Sequence, residues 1–108
     1  MRQNCFIDEK GRIYKTESLI KASENLPIID YEINSEIILE QSPHWQLNTF
    51  RDYLAHFKRV SDADLLRPLI LRSDGYIMDG WHRIIKAIYY NMKVLPARKF
   101  IVDPKPDE

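Results

Sequence analysis

Residues 67–89, which read RPLILRSDGYIMDGWHRIIKAIY, carry the clearest structural signals in the chain. Pro68–Leu71 is a short apolar run with the length of a buried strand, and Asp74–Gly75 is a strong signal for a hairpin turn. Tyr76–Met78 supplies the returning strand, and apolar residues then recur at helical spacing over 81–92. This stretch therefore predicts a strand, a tight turn, a second strand and a helix in close succession.

The sequence on either side predicts the remaining elements of one small domain, since 108 residues are too few for two ordinary ones. The expected class is α+β, with a mixed sheet packed against a few helices over 1–102 and a flexible C-terminal tail over 103–108. In chain order, the predicted elements outside 67–92 are a hairpin over 6–14, a short helix capped by Thr16, a strand over 28–33, an extended piece over Ile37–Leu39, a brief capped helical turn over Ser61–Leu65 and a last strand over 94–102.

A longer helix is predicted to begin at Ser42–Pro43. The serine can accept a hydrogen bond from an unpaired amide, and proline at the first helical position sacrifices no donor. Five apolar residues then recur at helical spacing, and we expect them to pack on the sheet: Leu47, Phe50, Tyr53, Leu54 and Phe57. The opposite face carries Trp45, Thr49, Asp52 and His56, for which the alternatives are a solvated surface and the border of a functional site.

Composition limits the classes of partner. The chain has 16 basic and 16 acidic residues and a formal net charge of zero, so its overall charge gives no support for specific DNA binding by this chain alone. A local basic patch near the C-terminus stays open, formed by Arg83, Lys86, Lys93, Arg98 and Lys99. The single cysteine, Cys5, cannot form an intramolecular disulfide or a cysteine-rich zinc site, and we expect it to be a buried residue of the first strand.

No run of about 18 apolar residues and no signal-peptide pattern is present. We therefore expect no membrane association and a cytoplasmic location.

The turn Asp79–Gly80–Trp81–His82–Arg83 is the main candidate for chemistry, because it joins a strand to a helix start. Such a start exposes amides without intrahelical partners, and the helix dipole favours negative charge there. Gly80 lets a ligand approach the backbone closely, while His82, Arg83 and Lys86 add donors at the same end. Arg83 can grip a phosphate with two parallel hydrogen bonds. Asp79 is most simply the helix cap, with a metal-binding or catalytic role as the alternative.

The motifs in this region, Arg67–Leu71, Asp74–Gly75, Asp79–Arg83 followed by Lys86–Ala87, and Leu95–Ala97, resemble those of the ParB/sulfiredoxin superfamily. The close resemblance covers about residues 67–100, and the rest agrees in outline. It implies a compact domain that binds a nucleoside triphosphate, either CTP as a clamp switch or ATP or ADP as a phosphoryl donor. Gly80, His82 and Arg83 would then contact phosphate, joined by the backbone N–H of Trp81.

The chain also departs from that superfamily. Sulfiredoxins carry their catalytic cysteine immediately before the His-Arg pair, where this chain has Trp81, so sulfiredoxin activity is excluded. Partition-type ParB proteins continue into DNA-binding and dimerisation domains, which the 108 residues do not include. No clustered carboxylates of the two-metal kind are present, so no metal site is predicted.

Three functions follow as hypotheses. The first is a nucleotide-binding regulatory or switch module. The second is a small-molecule phosphotransferase, resembling the free-serine kinases of the same superfamily, that would use Mg²⁺ and a carboxylate, with Asp79 as the first candidate and Asp52, Glu32 or Glu36 as the others. The third is a non-catalytic scaffold that binds a protein partner, which exposure of Trp45 and Trp81 would favour.

Overall fold

The protein is described by a computed structural model that covers residues 5–33, 38, 40, 41, 43, 45 and 47–108. It is a single α+β domain, as the sequence predicts. The elements of the described part are β1 (Cys5–Ile7), β2 (Ile13–Lys15), α1 (Thr16–Ser23), β3 (Ile29–Glu32), α2 (Phe50–Asp62), β4 (Leu69–Leu71), β5 (Ile77–Asp79), α3 (Trp81–Tyr89) and β6 (Val94–Lys99).

Four of the strands form a mixed sheet in the order β3-β6-β4-β5. The last strand, β6, lies inside this sheet, antiparallel to β3 and parallel to β4. The hairpin predicted at Asp74–Gly75 is confirmed, since β4 and β5 pair antiparallel on either side of it. Strands β1 and β2 form a separate antiparallel hairpin, which was also predicted.

The sheet is covered on both faces, which explains why β4 is apolar at every position. Alternate residues of a strand point to opposite faces, so Leu69 and Leu71 pack with Ile84 and Ala87 of α3. Ile70 points the other way, into a second cluster that also contains Phe6, Tyr14, Leu19, Met78 and Phe100. The result is a layer order of α3, sheet, and then the β1–β2 hairpin with α1.

The N-terminal elements follow the prediction in type but not in capping. Cys5 is buried in β1, as expected. Asp8 fixes the hairpin turn, because its carboxylate accepts the amides of Lys10 at 3.0 Å and Arg12 at 2.9 Å. The predicted cap of α1 is wrong: Lys15 is the N-cap without a side-chain bond, and Thr16 is already helical.

The predicted start of the long helix is also wrong. Pro43, Trp45, Leu47 and Asn48 are not helical, and α2 begins at Phe50; Ser42 lies outside the described residues. The extended piece predicted over Ile37–Leu39 is wrong at Ile38, which is helical and buried, while Ile37 and Leu39 lie outside the described residues. The physical reason for the later helix start is a capping box at Thr49, the residue directly before Phe50. The Thr49 hydroxyl accepts the amide of Asp52 at 3.2 Å, while the Asp52 carboxylate accepts the amide of Thr49 at 3.0 Å. Two helix-start amides are satisfied reciprocally there.

The face that α2 buries is the opposite of the predicted one. The supposed core stripe is exposed, with relative exposures of 74% for Phe50, 43% for Tyr53, 51% for Leu54 and 65% for Phe57. His56 is instead the buried residue of this helix, at 5% exposure. The reason is that α2 packs against α3 rather than on the sheet.

Two further segments complete the fold. Ser61 and Asp62 are the end of α2 rather than a separate helical turn, and the chain then turns from Asp64 to Arg67. The segment 103–108, expected to fray, runs back to β2. There the amide of Asp107 donates to Ile13 at 2.7 Å, and its carboxylate accepts the amide of Lys15 at 2.7 Å.

Among the residues described, none of the helices has the length and apolar character needed to cross a bilayer.

Candidate functional site

The turn between β5 and α3 has the predicted strand–glycine–helix geometry. Gly80 is the N-cap of α3 and has a φ of 119°, a left-handed conformation that favours glycine. A Cβ at this position would lie 2.3 Å from Cδ2 of the buried Leu69, so no side chain fits without a shift of the core. The first intrahelical bond runs from the amide of Ile84 to the carbonyl of Gly80 at 3.0 Å. The amides of residues 81–83 therefore precede the helical hydrogen-bond ladder.

A cavity of about 350 Å³ opens at this turn. Four of the residues predicted as ligands, and the predicted catalytic residue, line it together: Asp79, Gly80, Trp81, His82 and Arg83. The remaining lining residues are Cys5, Phe6, Thr16, Trp45, Arg59, Asp62, Ala63, Asp64, Arg67 and Met78. The structure thus joins the turn to the end of α2 and to the β1–β2 hairpin around one concave surface.

Arg83 lies at the cavity but its guanidinium is bound to protein, which contradicts the expectation that it is open to grip a phosphate. Its side chain is 8% exposed. Nη1 donates to the carbonyls of Arg67, at 2.8 Å, and Pro68, and Nη2 donates to Asp79 at 2.8 Å. Burial lowers the pKa of Arg83, while the Asp79 carboxylate acts in the opposite direction. Arg83 therefore fixes the entry of β4 relative to the end of β5.

Asp79 consequently is not the helix cap. Its carboxylate is held by Arg83 across one helical turn, and the N-cap of α3 is Gly80. The Asp79 side chain keeps 20% exposure and lines the cavity. It remains within reach of a ligand there, with one oxygen already accepting a hydrogen bond from Arg83.

His82 belongs to an aromatic cluster that connects α3 to α2. Its Nε2 lies 3.2 Å from Nδ1 of His56, and the Trp45 indole stacks on its ring at 4.6 Å with an interplanar angle of 14°. Burial, then the neighbouring His56 and Arg59, lower the pKa of His82 to about 4. Burial also lowers the pKa of His56. Both imidazoles are therefore neutral near pH 7 and can share one proton.

Lys86 does not join the site. Its ammonium donates to the carbonyls of Ser61 at 2.7 Å and Ala63 at 2.9 Å, at the C-terminal end of α2. A cation at that end satisfies carbonyls without helical partners and complements the helix dipole. Lys86 is thus a link between α2 and α3 and is absent from the cavity lining.

The predicted C-terminal basic patch is not an assembled surface. Arg83 is buried, Lys86 is committed to α2, and the Arg98 guanidinium donates to the carbonyls of Glu24 and Leu26. The two other members, Lys93 and Lys99, are exposed. Three of the five cations therefore satisfy carbonyl oxygens of the protein, which removes the charge-based argument for a nucleic-acid surface there.

Two cavity cations, Arg59 and Arg67, were missed by the sequence reasoning. Arg59 follows His56 by three residues and so lies on the same side of α2. Arg67 precedes Pro68 at the entry of β4. Both are exposed, unlike Arg83. Helical spacing could have indicated Arg59, because it places this residue on the same face as Trp45, Asp52 and His56. Its position directly before the predicted strand could have indicated Arg67.

Carboxylates also line the cavity, but they do not form a metal centre. No group of three or more His, Cys, Asp or Glu in the described part of the chain could hold a metal ion. Asp62, Asp64 and Asp79 are the carboxylates at the cavity wall. Mg²⁺ commonly binds through one or two carboxylates together with substrate phosphates, so these residues fit a metal that arrives with a phosphate ligand and not a dedicated protein site.

The chain's own residues define a concave site that combines helix-start amides, two exposed arginines, carboxylates and aromatic side chains. Such a mixture of an apolar wall and converging polar groups is typical of a small-molecule site. In comparisons with known proteins, no family model, no curated protein and no solved structure matches the chain.

Proposed function

We propose that this chain binds a nucleoside triphosphate, such as CTP or ATP, in the cavity at the start of α3 and acts as a regulatory or switch module. The observation that supports the proposal is that residues 80–83, at the start of α3, line one cavity together with Arg59 and Arg67. The resemblance of residues 67–100 to the ParB/sulfiredoxin superfamily supports the choice of a nucleotide.

The start of α3 and two exposed arginines are the groups that would bind an anion here, in a lining that also holds three aspartates. Helix-start amides point their N–H groups outwards and the dipole adds partial positive charge, which suits a phosphate group. Arg59 and Arg67 are exposed and can form charge-assisted, bidentate hydrogen bonds with phosphate oxygens. Gly80 adopts the left-handed conformation that turns the chain from β5 into α3. In this proposal Arg83 positions the turn, while Arg59 and Arg67 contact the ligand.

The rest of the cavity suits a nucleoside better than a bare phosphate. Its wall includes Trp45 and Trp81, both half-buried, which offer aromatic surface to a base or a ribose. The volume of about 350 Å³ is within the range of small-molecule sites. Mg²⁺ bound to the phosphates would be held by Asp62 or Asp64 of the cavity lining.

A phosphotransferase is the second candidate, favoured by the single observation that Asp79 lines the cavity. An aspartate there could position an acceptor hydroxyl for phosphoryl transfer. The hydrogen bond from Arg83 to Asp79 at 2.8 Å occupies one of the two carboxylate oxygens, which favours the switch over the transferase. Product formed from ATP or ADP and a hydroxyl acceptor, and lost in Asp79→Asn, would favour the transferase.

The proposal is tested by melting the full chain with Mg²⁺ and each of CTP, ATP, ADP and GTP. A ligand at 100 times its dissociation constant stabilises the folded state by about 2.7 kcal/mol, so we expect a clear rise in Tm with at least one nucleotide. Arg67→Ala should raise the dissociation constant of that nucleotide at least tenfold, because it removes a hydrogen-bond donor to phosphate but keeps the carbonyl that Arg83 binds.

Arg51→Ala is the matched control, since Arg51 is an exposed arginine that does not line the cavity. It should leave the dissociation constant unchanged. If no nucleotide raises the Tm of the wild-type chain, both the switch and the transferase are wrong. Equal losses in Arg67→Ala and Arg51→Ala would mean that binding is non-specific and does not use the cavity.

A further inference from the structure

The imidazoles of His56 and His82 form a pair of ring nitrogens that the proposed nucleotide site does not use. His56 comes from α2 and is 5% exposed, while His82 comes from the first turn of α3 and lines the cavity. Nε2 of His82 lies 3.2 Å from Nδ1 of His56, and the Trp45 indole packs on both rings with centroid distances of 4.6 Å. Two ring nitrogens from different helices therefore converge next to the cavity wall.

The separation of the two nitrogens is one that two imidazole ligands of a single metal ion have. Zn²⁺ binds histidine nitrogens at about 2.0–2.1 Å in tetrahedral geometry, which places two such nitrogens about 3.3–3.4 Å apart. Ligands at right angles would be about 2.9 Å apart at the same bond length. The observed 3.2 Å lies between these values. The same distance is at the long end of the range for a hydrogen bond, so the orientation of the rings separates the two arrangements.

The orientation of the rings favours coordination of a shared ion over a straight hydrogen bond. In a straight N–H···N bond at this distance the ring centroids would be about 5.5 Å apart, since each centroid lies about 1.1 Å behind its nitrogen on the same line. The observed centroids are 5.1 Å apart, with the ring planes inclined at 40°. The ring axes are therefore bent away from the line between the two nitrogens, which is what two nitrogens bound to one ion require.

The protonation state of the pair also suits a metal ion, because only a neutral imidazole nitrogen can coordinate. Burial lowers the pKa of both rings, that of His82 to about 4, so both are neutral near pH 7. The charged groups that act on the pair are balanced, because Arg59 and Arg83 are positive whereas Asp52 and Asp79 are negative. A dication between the rings would therefore not meet a net positive surrounding.

The geometry points to a binding site for one divalent transition-metal ion, such as Zn²⁺ or Ni²⁺, between Nδ1 of His56 and Nε2 of His82. Imidazole is a ligand that suits these ions, whereas Mg²⁺ and Ca²⁺ prefer oxygen. The described part of the chain offers no third His, Cys, Asp or Glu ligand, so water or a small anion completes the coordination. Because its two ligands belong to α2 and α3, the ion joins these helices beside the cavity. This site does not depend on the nucleotide proposal.

The test titrates the full chain, without an affinity tag, with Zn²⁺ and with Ni²⁺ at pH 7 by isothermal titration calorimetry. We expect one ion per chain, and a rise in Tm with Zn²⁺ because the ion binds the pair only in the folded state. His56→Gln and His82→Gln should each weaken binding at least tenfold, since each removes one of two ligands. Glutamine keeps a hydrogen-bonding side chain at both positions, and a melt without metal checks that the variants fold.

Cys5→Ser is the matched control, because Cys5 also lines the cavity and a thiol is a second kind of group with affinity for Zn²⁺. It should leave the affinity unchanged, and excess Mg²⁺ should not displace Zn²⁺. NMR of the wild-type chain needs no substitution: one equivalent of Zn²⁺ should shift the ring signals of His56 and His82 together. The inference is overturned if neither ion binds, if the ring signals do not move at saturation, if both histidine variants bind like the wild type, or if only Cys5→Ser loses binding.

Discussion

His82 and His56 face each other across the contact between α3 and α2, with Nε2 of one 3.2 Å from Nδ1 of the other. A hydrogen bond between two imidazoles needs one donor and one acceptor, so the pair is compatible with both rings neutral. A second proton would place two positive charges in contact, beside Arg59, which already lowers the pKa of both rings. The link between the two helices is therefore weakest when both rings are protonated.

The first prediction is that acid weakens the fold through His82. Its pKa falls from 6.5 to about 4 on folding, so between these values the unfolded chain binds more protons. The stabilisation is complete above about pH 6.5 and is lost as the pH falls towards 4. For one proton, the free energy of unfolding can fall by at most about 1.4 kcal/mol per pH unit, and the partial solvent exposure of the ring makes the loss smaller. Urea unfolding at pH 7, 6, 5 and 4 measures the loss.

His82→Gln is the comparison for this prediction. Glutamine keeps a hydrogen-bonding side chain but does not titrate, so the variant should lose less free energy of unfolding between pH 6.5 and 4. The carboxylates titrate equally in both proteins and cancel in the comparison. Identical pH profiles, or an NMR titration of the His82 ring near pH 6.5, would rule out the buried neutral imidazole.

The second prediction concerns Arg83, whose guanidinium bonds to two carbonyls and to Asp79. Arg83→Met would leave a half-buried carboxylate and two carbonyls without their donor, which typically costs about 3–5 kcal/mol. Arg83→Lys should restore little, because one ammonium cannot reproduce the planar fork. The free energy of unfolding in urea measures both.

The control is Arg67→Met, at an exposed arginine of the same cavity. A surface change of this kind should alter the free energy of unfolding by no more than about 0.5 kcal/mol. If Arg83→Met lowers the free energy of unfolding as little as Arg67→Met does, Arg83 is a ligand-binding cation and not the residue that fixes the turn.

The third prediction separates two reasons for glycine. Gly80→Ala combines a φ of 119° with a Cβ 2.3 Å from Leu69, whereas Gly75→Ala has a φ of 90° and nothing within 4 Å. Strained backbone alone costs about 1–3 kcal/mol, and overpacking a core adds a similar amount. We expect Gly80→Ala to lower the Tm clearly more than Gly75→Ala. Equal decreases in Tm would show that the core around Leu69 accommodates the added Cβ without loss of stability.

The sequence predicted the region from β4 to β6 well, because each element there carries a local signal. The apolar run of β4, the Asp74–Gly75 turn and the helical spacing after Gly80 all agree with the final packing. The strand and helix bounds differ from the prediction by only a few residues. Agreement between local pattern and burial is what made this part of the fold readable.

The face buried by α2 could not be predicted in the same way. Its periodicity is correct for an amphipathic helix, and the prediction assumed that the apolar side faces the core. The structure buries His56 instead, because α2 rests on α3 through hydrogen bonds and stacked rings. Periodicity locates the two faces of a helix, but it does not say which one meets the rest of the chain.

The roles of the cations were likewise beyond the sequence. Arg83 and Lys86 stand at the helix start or one turn later, where a phosphate ligand was a reasonable expectation. Besides Asp79, their actual partners are carbonyls from the last turn of α2 and the segment that follows it up to Pro68, which a local motif does not reveal. Arg59 and Arg67 occupy the cavity wall instead, and only the folded chain brings them together.

The position of β6 within the sheet has a consequence for biosynthesis. Strands β3 and β4 lie on opposite sides of β6, so each pairs with β6 and they do not pair with each other. On the ribosome, β3 must wait until residues 94–99 have left the exit tunnel, whereas the β4–β5 hairpin can close earlier from contacts near in sequence. A nascent chain stalled before residue 94 would hold a formed hairpin and an unmatched β3, a state prone to pairing with other chains.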